Sequence, residues 1–432
     1  MMVTYTSDDI LYQHFKQHPY ISTDSRKVMP GSIFFALRGE NFDGNEYAET
    51  ALQQGASYAV VDKPQLCLNE RTLLVPDVLN ALQKLAIAHR EHLTIPVIGI
   101  TGSNGKTTTK ELIAATLSAR YTVLATSGNL NNHIGVPLTV LSITSNHEMA
   151  VVEMGANHVG EIADLCQIAR PTHGLITNIG KAHLEGFGGK EGVIKAKKEL
   201  YDHLRNHGGT VFVNADDPLL MSLSQNMPRI TYGELNTAGV RGFPAQSGEN
   251  LEINLEGRDP IVTRLTGSYN FPNAMAAYAI ALHFRVESSL ALHALATYEP
   301  RMNRSQLVKT ARNLVLLDAY NANPSSMEAA LNYFARLPDE HKVLLLGDMF
   351  ELGNYAGIEH TSILQLASGL KMEKIYTAGP LFMEAARAFP GIIACHSTES
   401  LQQLLGDENL SNKTILIKGS RGMKMELLLE QL

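Results

Sequence analysis

The sequence is 432 residues long, 44% hydrophobic and 18% charged, with a formal net charge of −7; at roughly 150 residues per domain this predicts about three globular domains. The acidic balance excludes a general nucleic-acid surface, and no apolar run approaches the roughly 20 residues of a membrane span. The N-terminus carries neither a basic leader nor an apolar core, and Cys67, Cys166 and Cys395 are odd in number and far apart, so the expected setting is the cytoplasm, with reduced thiols and no clustered-cysteine zinc site.

Residues 1–82 carry short apolar runs at Ser32–Leu37 and Ala56–Asp62, separated by the turn signals Met29-Pro-Gly31 and Phe42-Asp-Gly44, which predicts a small α/β domain. Pro76–His92 is helical in pattern. The next unit, 83–299, opens with the strand Pro96–Ile100, which runs into Thr101-Gly-Ser-Asn-Gly-Lys-Thr-Thr108. This is a phosphate site: Gly102 and Gly105 let backbone N–H groups approach a polyphosphate, and Lys106 adds positive charge at the start of the following helix. Thr107 offers a hydroxyl suited to Mg²⁺. The loop is shorter than the common pattern, which has glycine where Ile100 stands.

Further strands at Tyr121–Ala125, Ala150–Met154, Gly174–Thr177 and Thr210–Asn214 alternate with helices, predicting a mostly parallel sheet covered on both faces. Glu153 falls at the carboxyl end of one strand, where ligands of such sheets collect; it is either a Mg²⁺ ligand or a strand-end acid paired with a base. His183 follows the next strand at the same edge and is a second candidate ligand. The helix Gly192–His203, with Lys195, Lys197 and Lys198, reads by itself as a solvated amphipathic face. Asn131 and Asn132 either hold a sugar or peptide or cap turns, and Asn270 and Asn273 either read a purine edge or cap an alanine-rich helix. Residues 235–260, alternating only at Leu251–Leu255, are expected to form a surface hairpin or excursion. From 300 to 432 a second series, Leu314–Asp318, Lys342–Gly347, Lys374–Thr377 and Thr414–Lys418, predicts a doubly wound third domain.

Taken together, Thr101-Gly-Ser-Asn-Gly-Lys-Thr-Thr108, Glu153-Met-Gly-Ala-Asn157, Asn178-Ile-Gly-Lys-Ala-His183, Ala196-Lys-Lys-Glu-Leu-Tyr201, the Asn270/Asn273 pair and Asp318-Ala-Tyr-Asn-Ala-Asn-Pro324 resemble the Mur ligases of bacterial cell-wall synthesis. The resemblance covers all three units. Asp24-Ser-Arg26 with Phe42-Asp-Gly44, Tyr320–Pro324, Gly347-Asp-Met-Phe-Glu-Leu-Gly353 and Lys418-Gly-Ser-Arg421 are most similar to the branch that joins D-alanyl-D-alanine to UDP-N-acetylmuramoyl-tripeptide.

The resemblance implies an ATP-dependent, ADP-forming amide ligase with a central P-loop ATPase domain and a Rossmann-like C-terminal domain. It implies that Ser25 and Arg26 hold the UDP end of the precursor. ATP would meet Gly102, Ser103, Asn104, Gly105, Lys106, Thr107, Thr108, Asn270 and Asn273, with Arg304, or Arg301, toward the γ-phosphate and Asp318 toward the ribose. Asn131, Asn132, Asn321 and Asn323 would contact substrate. Lys106, His183 and Lys197 are the implied catalytic residues. Two Mg²⁺ ions are implied, one at Thr107 and Glu153, the other at His183 and Lys197; Lys197 matches a carbamylated lysine, against its local reading. The implied partners are these small molecules, with no nucleic acid and no membrane, and the expected state is a monomer. The rivals are a ligase adding the third amino acid and a folylpolyglutamate synthetase, both opposed by Tyr320–Pro324, and a nucleotide-dependent switch ATPase.

Overall fold

The computed structural model describes residues 4–66, 69–245, 250–300 and 306–432. Cys67, Arg301 and Arg304 lie outside the described residues. Three sheets of four or more strands follow one another along the chain, with a two-stranded ribbon of Arg38–Gly39 and Phe42–Asp43 within the first unit. The first pairs Ile21–Ser22, Ile33–Phe35, Tyr58–Val61 and Thr72–Leu74 in that order, all parallel. Alternation along Ile33–Phe35 sends Ile33 and Phe35 toward Leu11, Phe15 and the helix Val78–Glu91, while Phe34 packs with Ala48 and Ala51 on the other face.

The central sheet has nine strands, with Val97–Thr101 between His173–Ile176 and Met149–Glu153. From Val123–Ala125 at one edge to Val240–Pro244 the pairing is parallel. Strands Val97–Thr101 and Met149–Glu153 are buried along their whole length, because helices cover both faces. Ile98, Ile100, Val151 and Phe212 meet the helices Lys106–Ser118 and Phe271–His283; Val97, Val152 and Val211 meet Gly135–Leu141, Glu161–Ala169 and Lys190–Asn206. The expected surface hairpin at 235–260 is corrected. Val240–Pro244, Asn250–Leu255 and Ile261–Thr266 extend this sheet, the last two antiparallel. Their alternation buries Leu251, Ile253 and Leu255 with residues of the helices Phe271–His283 and Ser288–Thr297, and a half-covered sheet edge produces the same pattern as a free hairpin.

The C-terminal sheet runs Gln306–Lys309, Leu314–Asp318, Thr414–Lys418, Lys342–Gly347, Lys374–Ala378, Ile392–Cys395, parallel except for the first strand. Leu316, Leu344 and Leu416 share a core with the helices Pro324–Arg336 and Ala356–Gly369; Val315, Leu345 and Ile415 share one with Thr398–Glu408 and the terminal turns. This is the doubly wound arrangement expected. It sets Asp318 beside Lys418 at adjoining strand ends.

The helix Val78–Glu91 runs unbroken across position 82 and fastens the first sheet to the second. Asp77 caps it by accepting from the Asn80 N–H at 2.6 Å. Gln83 donates to the His133 carbonyl at 3.0 Å, and the His89 ring bonds the Ile143 carbonyl at 2.8 Å. Arg90 is buried and donates to the carbonyls of Ala169, Arg170 and Leu93. No described helix is long and apolar enough to cross a membrane.

Leu416 is fully buried on an interior strand, so Leu416→Ala should cost about 2–5 kcal/mol. Chemical denaturation followed by circular dichroism should show a lower midpoint; an unchanged midpoint would mean that this core tolerates the cavity.

Candidate active site

Strand ends from the central and C-terminal sheets face one cleft of about 1160 Å³, walled also by the helices Val78–Glu91, Glu161–Ala169 and Pro324–Arg336. At its centre the fully buried strand Val97–Thr101 turns at Gly102, φ 144°, and Gly105, φ 79°, into the helix Lys106–Ser118. A Cβ on Gly102 would stand 2.0 Å from Thr177 Oγ1, and one on Gly105 would stand 2.7 Å from Asn273 Oδ1. Only glycine fits either position. No side chain caps the helix start, which leaves its first N–H groups available to an anion.

The loop is braced from the next strand end. Thr177 Oγ1 and Asn178 Nδ2 donate to the Asn104 carbonyl at 2.6 and 3.0 Å, and the Asn104 N–H donates to Asn178 Oδ1 at 3.0 Å. Ser103 Oγ donates to the Gly180 carbonyl at 3.1 Å. Lys106 Nζ donates to the Gly102 carbonyl at 2.7 Å, so its charge lies over the loop.

Glu153 is 1% exposed. Its Oε1 accepts from Thr107 Oγ1 at 3.1 Å and Asn131 Nδ2 at 2.8 Å; its Oε2 has no hydrogen-bond partner among the described residues, with Lys110 Nζ 3.9 Å away. A buried, half-satisfied carboxylate oxygen beside a threonine hydroxyl is a donor set that a hard divalent cation fits. Among the described residues no group of three or more His, Cys, Asp or Glu side chains could hold a metal unaided.

His183 lies on the cleft wall in a left-handed conformation, φ 51°, with Nδ1 against the carboxylate of Glu351. That contact holds the Glu351 carboxyl below its ordinary value. Lys197 is 1% exposed, which corrects the solvated-face reading. It belongs to the buried stripe Val193, Ala196, Leu200, Tyr201 of its helix, behind the cleft wall. Nζ is 3.4 Å from the Ala156 carbonyl and 5.0 Å from the Phe187 ring centroid, and no carboxylate forms an ion pair with it among the described residues. Burial first, and then the charge of Lys106, push its ammonium down to about 7.

The paired asparagines resolve differently. Asn131 is spent on Glu153, whereas Asn132 Oδ1 accepts from the Ile134 and Gly135 N–H groups at 3.1 and 2.9 Å and caps a turn. Neither Asn270 nor Asn273 caps its helix with a side-chain bond. They form a buried relay from Thr109 through Asn273 and Asn270 to the Thr266 carbonyl, pinning one helix to the other beside the glycine loop.

The C-terminal domain closes the cleft. Asn323 caps the helix Pro324–Arg336 through the Ser326 N–H at 3.0 Å, and its Nδ2 donates to Asn104 Oδ1 at 2.7 Å. The Lys181 N–H donates to Ser325 Oγ at 2.9 Å, and Lys181 Nζ pairs with Glu359 at 2.6 Å. Asp318 pairs with buried Lys418, whose Nζ is 3.5 Å from the Asn321 carbonyl.

One cleft thus gathers Ser103, Asn104, Gly105, Lys106, Thr107, Thr108, Asn131, Asn132, Glu153, His183, Asn270, Asn273, Asp318, Asn321 and Asn323. Ser25 and Arg26 are not on it. The Arg26 guanidinium is 85% exposed and holds Asp24 at 2.9 Å. Asn178, Lys418 and Glu351 were assigned no role from sequence, although each stands inside a motif that carries the resemblance.

Family patterns match three successive stretches of the chain: the Mur ligase family catalytic domain at residues 19–90, the Mur ligase middle domain at 100–281, and the Mur ligase glutamate ligase domain at 303–421. A UDP-N-acetylmuramoyl-tripeptide–D-alanyl-D-alanine ligase of Bacillus subtilis is 37% identical over 95% of this chain and 92% of its own length. The chain belongs to the Mur ligase family. The Escherichia coli ligase of the same name is 34% identical over 94% of this Mur ligase and 92% of its own length. A crystal structure of MurF from Acinetobacter baumannii superposes with a TM-score of 0.88 at 30% identity, covering 100% of this chain and 99% of that one. MurF from Thermotoga maritima, in complex with ADP, gives 0.84 at 25% identity, covering 96% and 97%.

In this Mur ligase Gly102→Ala should weaken nucleotide binding by tenfold or more, since strain of about 1–3 kcal/mol would be forced on the loop. Titration with a fluorescent ATP analogue measures it; wild-type affinity would show that the loop can retreat from Thr177.

Proposed function

We infer that this Mur ligase joins D-alanyl-D-alanine to UDP-N-acetylmuramoyl-tripeptide, converting ATP to ADP and phosphate, in the synthesis of the peptidoglycan precursor. The observation that carries the reading is one cleft between the central and C-terminal domains, reached by the helix Val78–Glu91 that joins the first domain to the second, with an uncapped glycine loop on one side and the Asp318–Asn323 segment on the other. We assign the UDP-bearing precursor to domain 1–82, ATP to 83–299 and the dipeptide to 300–432. The partners are small molecules and the setting is the cytoplasm.

A carboxylate is a poor electrophile. Transfer of the γ-phosphoryl group to an oxygen of the tripeptide's terminal carboxylate gives an acyl phosphate and ADP. The dipeptide's amine then attacks the carbonyl carbon; the C–N bond forms, the C–O bond to phosphate breaks, and the amine loses its proton. Lys106 and the N–H groups of the loop stabilise the transferring phosphoryl oxygens. The docked C-terminal domain excludes water that would hydrolyse the acyl phosphate.

Thr107 and Glu153 would hold one Mg²⁺, and His183 with carbamylated Lys197 a second; when bound, the ions supply charge neutralisation at the phosphoryl oxygens. The buried Lys197 supports carbamylation. With its ammonium lowered to about 7, a large fraction of the amine is uncharged at neutral pH. That amine attacks CO₂; an N–C bond forms, a proton leaves, and the cation becomes a carboxylate on a long stem. The fraction of reactive amine rises as pH increases through 7.

ADP release should require both UDP-N-acetylmuramoyl-tripeptide and D-alanyl-D-alanine, read in a coupled ADP assay. Turnover with ATP alone at the full rate would sink the ligase reading in favour of a switch ATPase. Lys197→Ala should be nearly inactive and regain activity with added acetate or formate but not methylamine. Rescue by the amine would mean that the lysine acts as a cation.

A further inference from the structure

The central domain brings two histidines together at the end remote from the cleft. His173 opens the strand His173–Ile176, and His283 closes the helix Phe271–His283. The far ends of these two elements lead to Thr177 and Asn178 and to Asn270 and Asn273, which line the cleft. At about 1.5 Å per helical residue, His283 stands about 15 Å along the axis from Asn273. Nε2 of His173 and Nε2 of His283 face each other at 3.3 Å.

The orientation of both rings is set by their neighbours. Phe212 lies nearly parallel to the His173 ring, at 25° and 6.1 Å, and meets the His283 ring edge-on at 5.5 Å. Phe284 is 4.9 Å from the first ring and 4.8 Å from the second. Thr172 Oγ1 accepts from the Val97 N–H at 3.1 Å and directs its one proton to the Val97 carbonyl at 3.3 Å, so Nδ1–H of His173 donates to it at 2.9 Å. The lone pair of His173 therefore sits on Nε2, aimed at His283. Burial and then the neighbouring His283 push His173 down to about 4, and burial also lowers His283. Both rings are neutral at neutral pH, the form that binds a metal. His283 is exposed, which gives an ion a way in.

A separation of 3.3 Å lies beyond the roughly 2.7–3.2 Å of ordinary N–H hydrogen bonds. It matches two imidazole nitrogens on one tetrahedral Zn²⁺, where bonds of about 2.0–2.1 Å set them roughly 3.3–3.4 Å apart. We propose that His173 and His283 form a site for a divalent transition ion of the zinc type, which fastens the strand His173–Ile176 to the helix Phe271–His283 at the end of the central domain away from the cleft. Among the described residues no third His, Cys, Asp or Glu side chain joins the pair, so water completes the coordination and the ion exchanges with solvent. A pair of imidazoles selects zinc, copper or nickel over Mg²⁺, which sets this site apart from the oxygen donors Thr107 and Glu153. The site stands independently of the ligase reading.

The test is calorimetric titration of the chelator-treated full chain with Zn²⁺, in excess Mg²⁺ and ADP so that the cleft is filled. One Zn²⁺ should bind per chain. His283→Ala and His173→Ala should each weaken that binding about a hundredfold or more, the gain of two linked ligands over one. His207→Ala, in a groove that also contains His173, should leave it unchanged. Zn²⁺ should raise the unfolding temperature of the wild type but not of His283→Ala, because an ion bound only to the folded chain stabilises it. Should His173→Ala fail to fold, His283→Ala at the exposed helix end decides. If the wild type takes up no Zn²⁺ under these conditions, or if His283→Ala binds it as tightly as the wild type, the two rings share no more than a hydrogen bond and the proposal is overturned.

Discussion

The cleft depends on how closely the Gly102–Gly105 loop is pressed against the neighbouring strand end. With 2.0 Å between Thr177 Oγ1 and the place a Cβ would occupy on Gly102, the loop has no room to shift toward its neighbour and its conformation is set by Thr177, Asn178 and Gly180. Its outer side is held by Asn323 through Asn104. The uncapped glycine loop is therefore also the surface on which the C-terminal domain rests. Displacing either support changes the other.

The same crowding leaves polar groups unsatisfied. Among the described residues Glu153 Oε2 is buried without a hydrogen bond, and Lys197 is buried without an ion pair. Burying such groups costs stability, and a well-packed apolar residue in their place is often neutral or stabilising. One on the cleft and the other behind its wall, beside a strained His183, they form the pattern of a site built for ligands that complete its charges. The Lys413–Glu373 pair, by contrast, has both carboxylate oxygens bonded.

Much of the fold was legible because its strands are buried on both faces. Thr210–Asn214, Leu314–Asp318, Lys342–Gly347 and Thr414–Lys418 begin and end where their apolar runs do. The sheet extension at 240–266 was not legible, since a one-face pattern does not say what covers the face. The strand-to-helix turn could be read because two glycines stand between an apolar run and a helix-forming segment, and both hold positive φ. Lys197 misled because lysines at 195, 197 and 198 look like one solvated cluster; its spacing from Val193, Leu200, Tyr201 and Leu204 was the available signal, as these define the buried stripe. Asn132 and Asn131 are adjacent and chemically alike, yet one caps a turn and the other holds Glu153, a difference that only three-dimensional proximity creates. Ser25 and Arg26 stand in a matching motif but away from the cleft.

Arg90 carries a mechanical consequence. Its guanidinium is buried between the helix Val78–Glu91 and the carbonyls of Ala169 and Arg170, so withdrawing that helix would strand those carbonyls without their donor and the arginine without its acceptors. The two N-terminal sheets are thereby riveted into one cooperative unit, melting and moving together. Among the described residues the C-terminal domain is held to the rest by no such rivet, but by polar contacts such as Asn323 with Asn104 together with the edge-on ring pair Tyr269 and Tyr333.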